Sequence, residues 1–186
     1  MKNKTLHNLV TAAMLFAIGL ALPFLTGQIP EIGNLLLPMH IPVLLCGFIC
    51  GWKYGLAVGF TLPVIRSLIF GMPFLYPNAV NMAFELAAYG FCTGFIYLMF
   101  RKKNLMSVYI SLICAMFIGR VVKGIAAAII YGVADKAYSF SMFIGGAFIE
   151  AVPGIILQLI LIPAIIIALK KASIKGLVHL GVTEND

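Results

Sequence analysis

Five ionisable side chains stand inside otherwise apolar stretches of this sequence: Arg66, Glu85, Arg120, Lys123 and Glu150. Arg120 and Lys123 are spaced i, i+3, so one helical face would carry both about a turn apart. Glu85 and Glu150 are the carboxylates able to meet that charge, and Arg66 adds a third cation. Three positive against two negative leaves one cation over for an anionic group such as a ligand carboxylate. Ionisable residues inside a membrane mark a solute site by default, because each costs about 2.5–3.5 kcal/mol to insert. Two plainer roles fit the same residues: pairs that staple a bundle, or long side chains of Arg66 and Lys123 that snorkel to an interface.

Polar residues extend this candidate site. Asn78, Asn81 and Glu85 recur at i, i+3 and i+7, so a helix would line a cavity with all three. Just before them, in MPFLYPN, Phe74 and Tyr76 fit either of two roles, a stacking surface for a flat organic solute or an interfacial aromatic belt. A 13-residue segment, TGQIPEIGNLLLP from Thr26 to Pro38, places Gln28, Glu31 and Asn34 among apolar residues. Both segments suit a cover over a site open to the outside. His40 opens the next apolar run and serves either a ligand or a structural hydrogen bond, whereas His7 and His179 are expected near water.

The elements that must hold these groups are membrane helices. Of 186 residues, 62% are hydrophobic and 10% charged, and the mean hydropathy is +1.08, which no soluble core needs. A run of about 20 apolar residues crosses the roughly 30 Å hydrocarbon layer, and the chain has room for about six. The expected fold is all-α: one polytopic bundle comprising a single domain over residues 1–186. The helices are expected near Thr5 to Leu25, Met39 to Gly51, Tyr54 to Gly71, Asn78 to Phe100, Leu105 to Ala134 and Phe140 to Lys170. The second is short, with Pro38 and Pro42 at its start, which suits oblique entry or entry from within the layer. Pro63, Pro153 and Pro163 fall inside later helices and should kink them or free a carbonyl. The first run follows Lys2 and Lys4 but is long for a signal segment and lacks a small-x-small cleavage site, so it is expected to be retained.

Nine basic residues (Lys2, Lys4, Lys53, Arg101, Lys102, Lys103, Lys170, Lys171 and Lys175) fall on one side of this topology and only Lys136 on the other. Both termini are therefore expected in the cytoplasm, with the protein in the cell membrane. The net charge of +7 follows from that arrangement and from anionic lipid heads rather than nucleic acid.

Several chemistries are excluded or unsupported. The sequence contains no G-x-x-x-x-G-K-[ST] phosphate loop, no H-E-x-x-H pair and no G-x-S-x-G turn, so an enzyme is not expected. Cys46 and Cys50 are one turn apart, but no histidine or carboxylate completes a metal site on their helix; packing is their expected role, with no metal and no cofactor. Ala13, Ala17 and Ala21 recur every four residues, making a smooth groove for a partner helix or for packing within the bundle. Gly47, Gly51, Gly55 and Gly59 recur at the same interval, and Gly90 and Gly94 form another pair.

These features together resemble the substrate-binding S components of energy-coupling factor (ECF) vitamin transporters. The resemblance covers nearly the whole chain. It rests on size, six helices with inside termini, Ala13-x-x-x-Ala17, the M-H-I-P-V segment from Met39 to Val43, the G-W-K-Y-G turn from Gly51 to Gly55, and Glu150-Ala-Val-Pro-Gly-Ile. It implies a subunit that captures a vitamin or related micronutrient from outside and topples while docked on a transmembrane coupling subunit driven by two ATPases. Ala13, Ala17 and Ala21 would then be the docking face, and the segment from Thr26 to Pro38 the external gate. The family's sites map onto Asn78, Asn81, Glu85, Arg120, Lys123 and Glu150. The surplus cation favours a carboxylate-bearing substrate such as pantothenate or a folate; a carboxylate facing the cavity would favour a pyrimidine or deazaguanine precursor. A stand-alone secondary transporter and a structural membrane subunit are the alternatives, the first small for its class and without a visible inverted repeat.

Overall fold

Six helices form where the apolar runs place them. The computed structural model describes residues 2–25, 37–133 and 152–173. They fold as α1 (Lys2–Leu25), α2 (His40–Cys50), α3 (Trp52–Phe70), α4 (Val80–Met99), α5 (Leu105–Val133) and α6 (Val152–Ser173). A kinked π-turn, Leu75–Ala79, leads into α4, so the regular helix begins two residues later than Asn78. The expected sixth helix from Phe140 lies outside the described residues until Val152, where α6 is first seen. Among the described residues, five helices are long and apolar enough to cross a membrane. The exception is α2, whose 11 residues reach about 16 Å, half of the hydrocarbon layer. Gly51, at φ 92°, lets α2 run into α3 with one residue between them, a conformation that glycine adopts at no steric cost.

The hub is α4, packed between α2, α3 and α5, while α1 lies on α2 and α3. Glycines set how closely these helices approach. A Cβ on Gly55 would stand 2.3 Å from the Gly90 carbonyl oxygen, one on Gly90 2.1 Å from the Gly55 oxygen, and one on Gly59 2.3 Å from the Leu86 oxygen. Gly94 meets the backbone of Trp52 in the same way. Without a strong hydrophobic drive between helices in lipid, this backbone-to-backbone packing supplies much of the association. Beside the seam lies the core, where Val43, Leu44, Cys46, Leu62, Leu86, Leu112 and Ile162 are fully buried.

The basic residues gather at one end of the bundle. Tyr54 donates a hydrogen bond to the Thr5 carbonyl (3.4 Å), Gly94 touches Trp52, and Lys170 donates to the Lys103 carbonyl. The start of α1, the α2 to α3 junction, the α4 to α5 turn and the end of α6 are thereby brought together. Asn104 organises that turn: its Oδ1 accepts from the Ser107 backbone N–H at 3.0 Å.

Arg66 is removed from the charge count made on sequence. Its guanidinium lies 5.0 Å from the Phe24 ring centroid and 5.3 Å from that of Phe70, and it donates to the Leu20 carbonyl. Leu20 stands just ahead of Pro23, whose missing N–H loosens the helical ladder there. The residue therefore ties the far end of α1 to α3, satisfied by rings and a carbonyl rather than by a solute.

Candidate functional site

Glu85 occupies the middle of the polar face of α4 and is completely buried. Such a carboxylate persists only where opposite charge and hydrogen bonds offset its desolvation. Lys123, reaching in from α5, puts Nζ 3.0 Å from Glu85 Oε2. On the other oxygen, Tyr89 donates its hydroxyl to Oε1 at 3.3 Å, and His40 Nε2 lies 3.6 Å from the same atom. That imidazole contact is an ion pair only when the ring carries its second proton. Arg120, 2% exposed, lies close enough to act electrostatically on Glu85, His40 and Tyr89.

Each side chain is placed by a local feature. His40 is the first residue of α2, so the positive end of that helix also points its dipole at the carboxylate. Its ring rests against Tyr89, with centroids 5.2 Å apart and planes at 60°. Tyr89 reaches α5 because Gly119 leaves space: a Cβ there would sit 2.4 Å from the Tyr89 ring. The i, i+3 spacing of Arg120 and Lys123 does put both beside Glu85, although Arg120 is buried and Lys123 keeps 24% of its side chain exposed. Lys123 is thus the partly accessible member of the pair.

Of the other expected site residues, Asn81, Asn78 and Tyr76 precede Glu85 along the chain. Asn81, one turn before Glu85, has a buried Oδ1 with no hydrogen-bond partner among the described residues. Asn78 lies in the π-turn, at an exposed position. Tyr76 is 55% exposed and donates its hydroxyl to the Ile130 carbonyl at 2.9 Å, strapping the turn to the end of α5. Its ring keeps an open face; its hydroxyl is committed. Phe74, 67% exposed, makes no such tie among the described residues. Gln28 and Glu150 lie outside the described residues. Ala13, Ala17 and Ala21 are all exposed along α1, and only 11% of that span is buried.

Two polar residues escaped the sequence reading. Tyr89 continues the Asn81 and Glu85 stripe by one more turn, and extending the pattern by four residues would have found it. Gln158 is 1% exposed in α6, with Nε2 unpartnered among the described residues. A single amide in a long apolar run was its signal. Cys46, Cys50 and Cys92 are buried free thiols, Cys114 is half-buried, and no three metal-ligating side chains converge among the described residues.

Compared with known proteins, residues 7–166 match the family model described as the substrate-specific component of the ECF transporter. The chain belongs to that family. No curated protein and no solved structure matches it. As an ECF substrate-specific component it is a multi-pass membrane subunit of a transporter, which displaces the stand-alone transporter and purely structural readings. Membership also implies association with an ECF module, made of transmembrane and ATPase subunits, and a small-molecule substrate.

Proposed function

We propose that this subunit captures a vitamin or related micronutrient with high affinity, that the solute enters from the side of the bundle opposite the basic residues, and that the site is built on Glu85 and its neighbours. The observation that carries the reading is the Lys123 to Glu85 pair, buried beside His40 and Arg120 and left partly open at Lys123. Asn81 above it offers a buried acceptor without a partner among the described residues. Around one carboxylate stand Lys123, Arg120 and a titratable imidazole, a balance that favours a carboxylate-bearing substrate such as pantothenate over a pyrimidine or deazaguanine type. Asn78, Tyr76, Gln28 and Glu150 complete the proposed contacts.

The family and the placement of the basic residues support the rest of the reading. The basic end faces the cytoplasm, so both termini lie there and the protein sits in the cell membrane. The subunit has no ATPase site of its own and is not an enzyme; a coupling subunit and two ATPases supply the work. Their transmembrane member docks on the exposed stripe of Ala13, Ala17 and Ala21, where small side chains permit close helix approach.

Purification in mild detergent, mass spectrometry of any retained small molecule, and thermal stabilisation across a vitamin panel test the proposal. A stoichiometric carboxylate-bearing micronutrient, with stabilisation lost in Lys123→Met, is the expected result. Stabilisation by an amine-bearing heterocycle that survives Lys123→Met would overturn the substrate class. Absence of any response across the panel would overturn the site.

A further inference from the structure

At the basic end, two lysines 67 positions apart in the chain are brought together with no carboxylate paired to them among the described residues. Lys170 donates its ammonium to the Lys103 carbonyl, and the Lys103 ammonium lies 6.0 Å from the Tyr97 ring centroid. The two cations are near enough to act on each other electrostatically. Exposed Arg101 and Lys171 extend the patch on either side. Among the described residues the sole carboxylate is Glu85, which is buried beside Lys123 in the candidate site. Like charges held together in this way create a strong local field for an anion.

We propose that the converging ends of α4, α5 and α6 bind the phosphate of an anionic phospholipid, through Lys103 and Lys170. The surface next to the cations selects a lipid over other anions. Met99 at the end of α4 is 72% exposed and Met106 at the start of α5 is 65% exposed, so the two helix ends joined by the turn that carries Lys103 also present apolar side chains for acyl chains. A soluble phosphate would leave that surface unused. Basic pockets between transmembrane helices on the cytoplasmic side bind such headgroups, and each cation near the surface contributes about 1 kcal/mol, or about fivefold in affinity.

The test is native mass spectrometry of the whole protein released from phosphatidylcholine nanodiscs containing a minor fraction of phosphatidylglycerol. The wild type should retain phosphatidylglycerol selectively. The K103Q/K170Q variant should bind it roughly 25-fold more weakly, the product of two such losses. A K103R/K170R variant should retain it, which separates lost charge from lost fold. The K4Q/K53Q variant removes two cations from the same end and should bind as wild type. Equal loss in both glutamine variants, or loss in neither, would make the attraction diffuse and overturn the site. Displacement of the lipid by millimolar inorganic phosphate would assign the cations to a free anion instead. Normal lipid retention by K103Q/K170Q together with failed assembly with the ECF module would assign them to an acidic protein surface.

Discussion

One helix, α4, carries two faces held by opposite means. Toward α3, Gly90 and Gly94 offer no side chain at all, and backbones touch where a single methyl group would collide with a carbonyl. Toward α2 and α5, Glu85 and Tyr89 offer polar side chains met by His40, Lys123 and, at longer range, Arg120. The glycine seam has one solution, because nothing larger fits. The charged face has many, since any set of groups that balances the carboxylate would serve. On the proposed function, a fixed seam and an adjustable solute face share one helix.

Substitutions can break that contrast in graded steps. The largest effect is expected for Gly90→Ala, where the added Cβ would be 2.1 Å from the Gly55 oxygen, a backbone atom that no rotamer change can move aside; the cost should go well beyond the roughly 1–3 kcal/mol of ordinary overpacking and keep the bundle from assembling. Loss of the monodisperse species on size exclusion would show it, whereas Gly132→Ala, with open space around it, should behave as wild type. Next comes Glu85→Leu. It strands Lys123 and His40 without a counter-charge and should cost about 3–5 kcal/mol, read as a lower melting temperature.

A double replacement sharpens the comparison. With Glu85→Met and Lys123→Met together, most of that stability should return while ligand-induced stabilisation stays absent, because buried pairs are often replaceable by apolar groups. If the ligand response also returned, the pair would be no more than a staple. Arg66→Met should be milder, about 1–3 kcal/mol from two ring contacts and one hydrogen bond, with the ligand response intact. Ala17→Leu should be the smallest on the isolated protein. It faces outward on α1, so the melting temperature should hold while pull-down of the coupling subunit falls.

Much of this was legible from residue types and spacing. Runs of apolar residues broken at Gly51, Gly71 and Asn104 placed the helices within a few residues, because membrane helices must satisfy their backbones internally. The spacing of Asn81, Glu85, Arg120 and Lys123 located the cluster, since period alone fixes which side chains share a face. Arg66 was counted among the embedded cations before its partners were in view. Its partners, Phe24, Phe70 and the Leu20 carbonyl, come from distant turns, and ring faces carry no charge to count in a sequence. Tyr89 needed only one more step along the period of Asn81 and Glu85, whereas the space that Gly119 leaves for its ring on another helix carries no mark in the sequence. The glycines were visible as repeats, yet which of them touch could be known only from the packing.

The shortness of α2 bears on how far a solute still has to travel. The helix rises from the basic end through 11 residues, about 16 Å, so His40 at its start lies roughly midway through the hydrocarbon layer. In the orientation proposed above, a molecule resting against His40 and Glu85 has passed half of the permeability barrier before any ATP is spent. What separates it from the cytoplasm is the glycine seam and the core beneath, the part of the protein least able to open. On the proposed function, release would then call for movement of the whole subunit or of its partners, rather than a gate cut through its own interior.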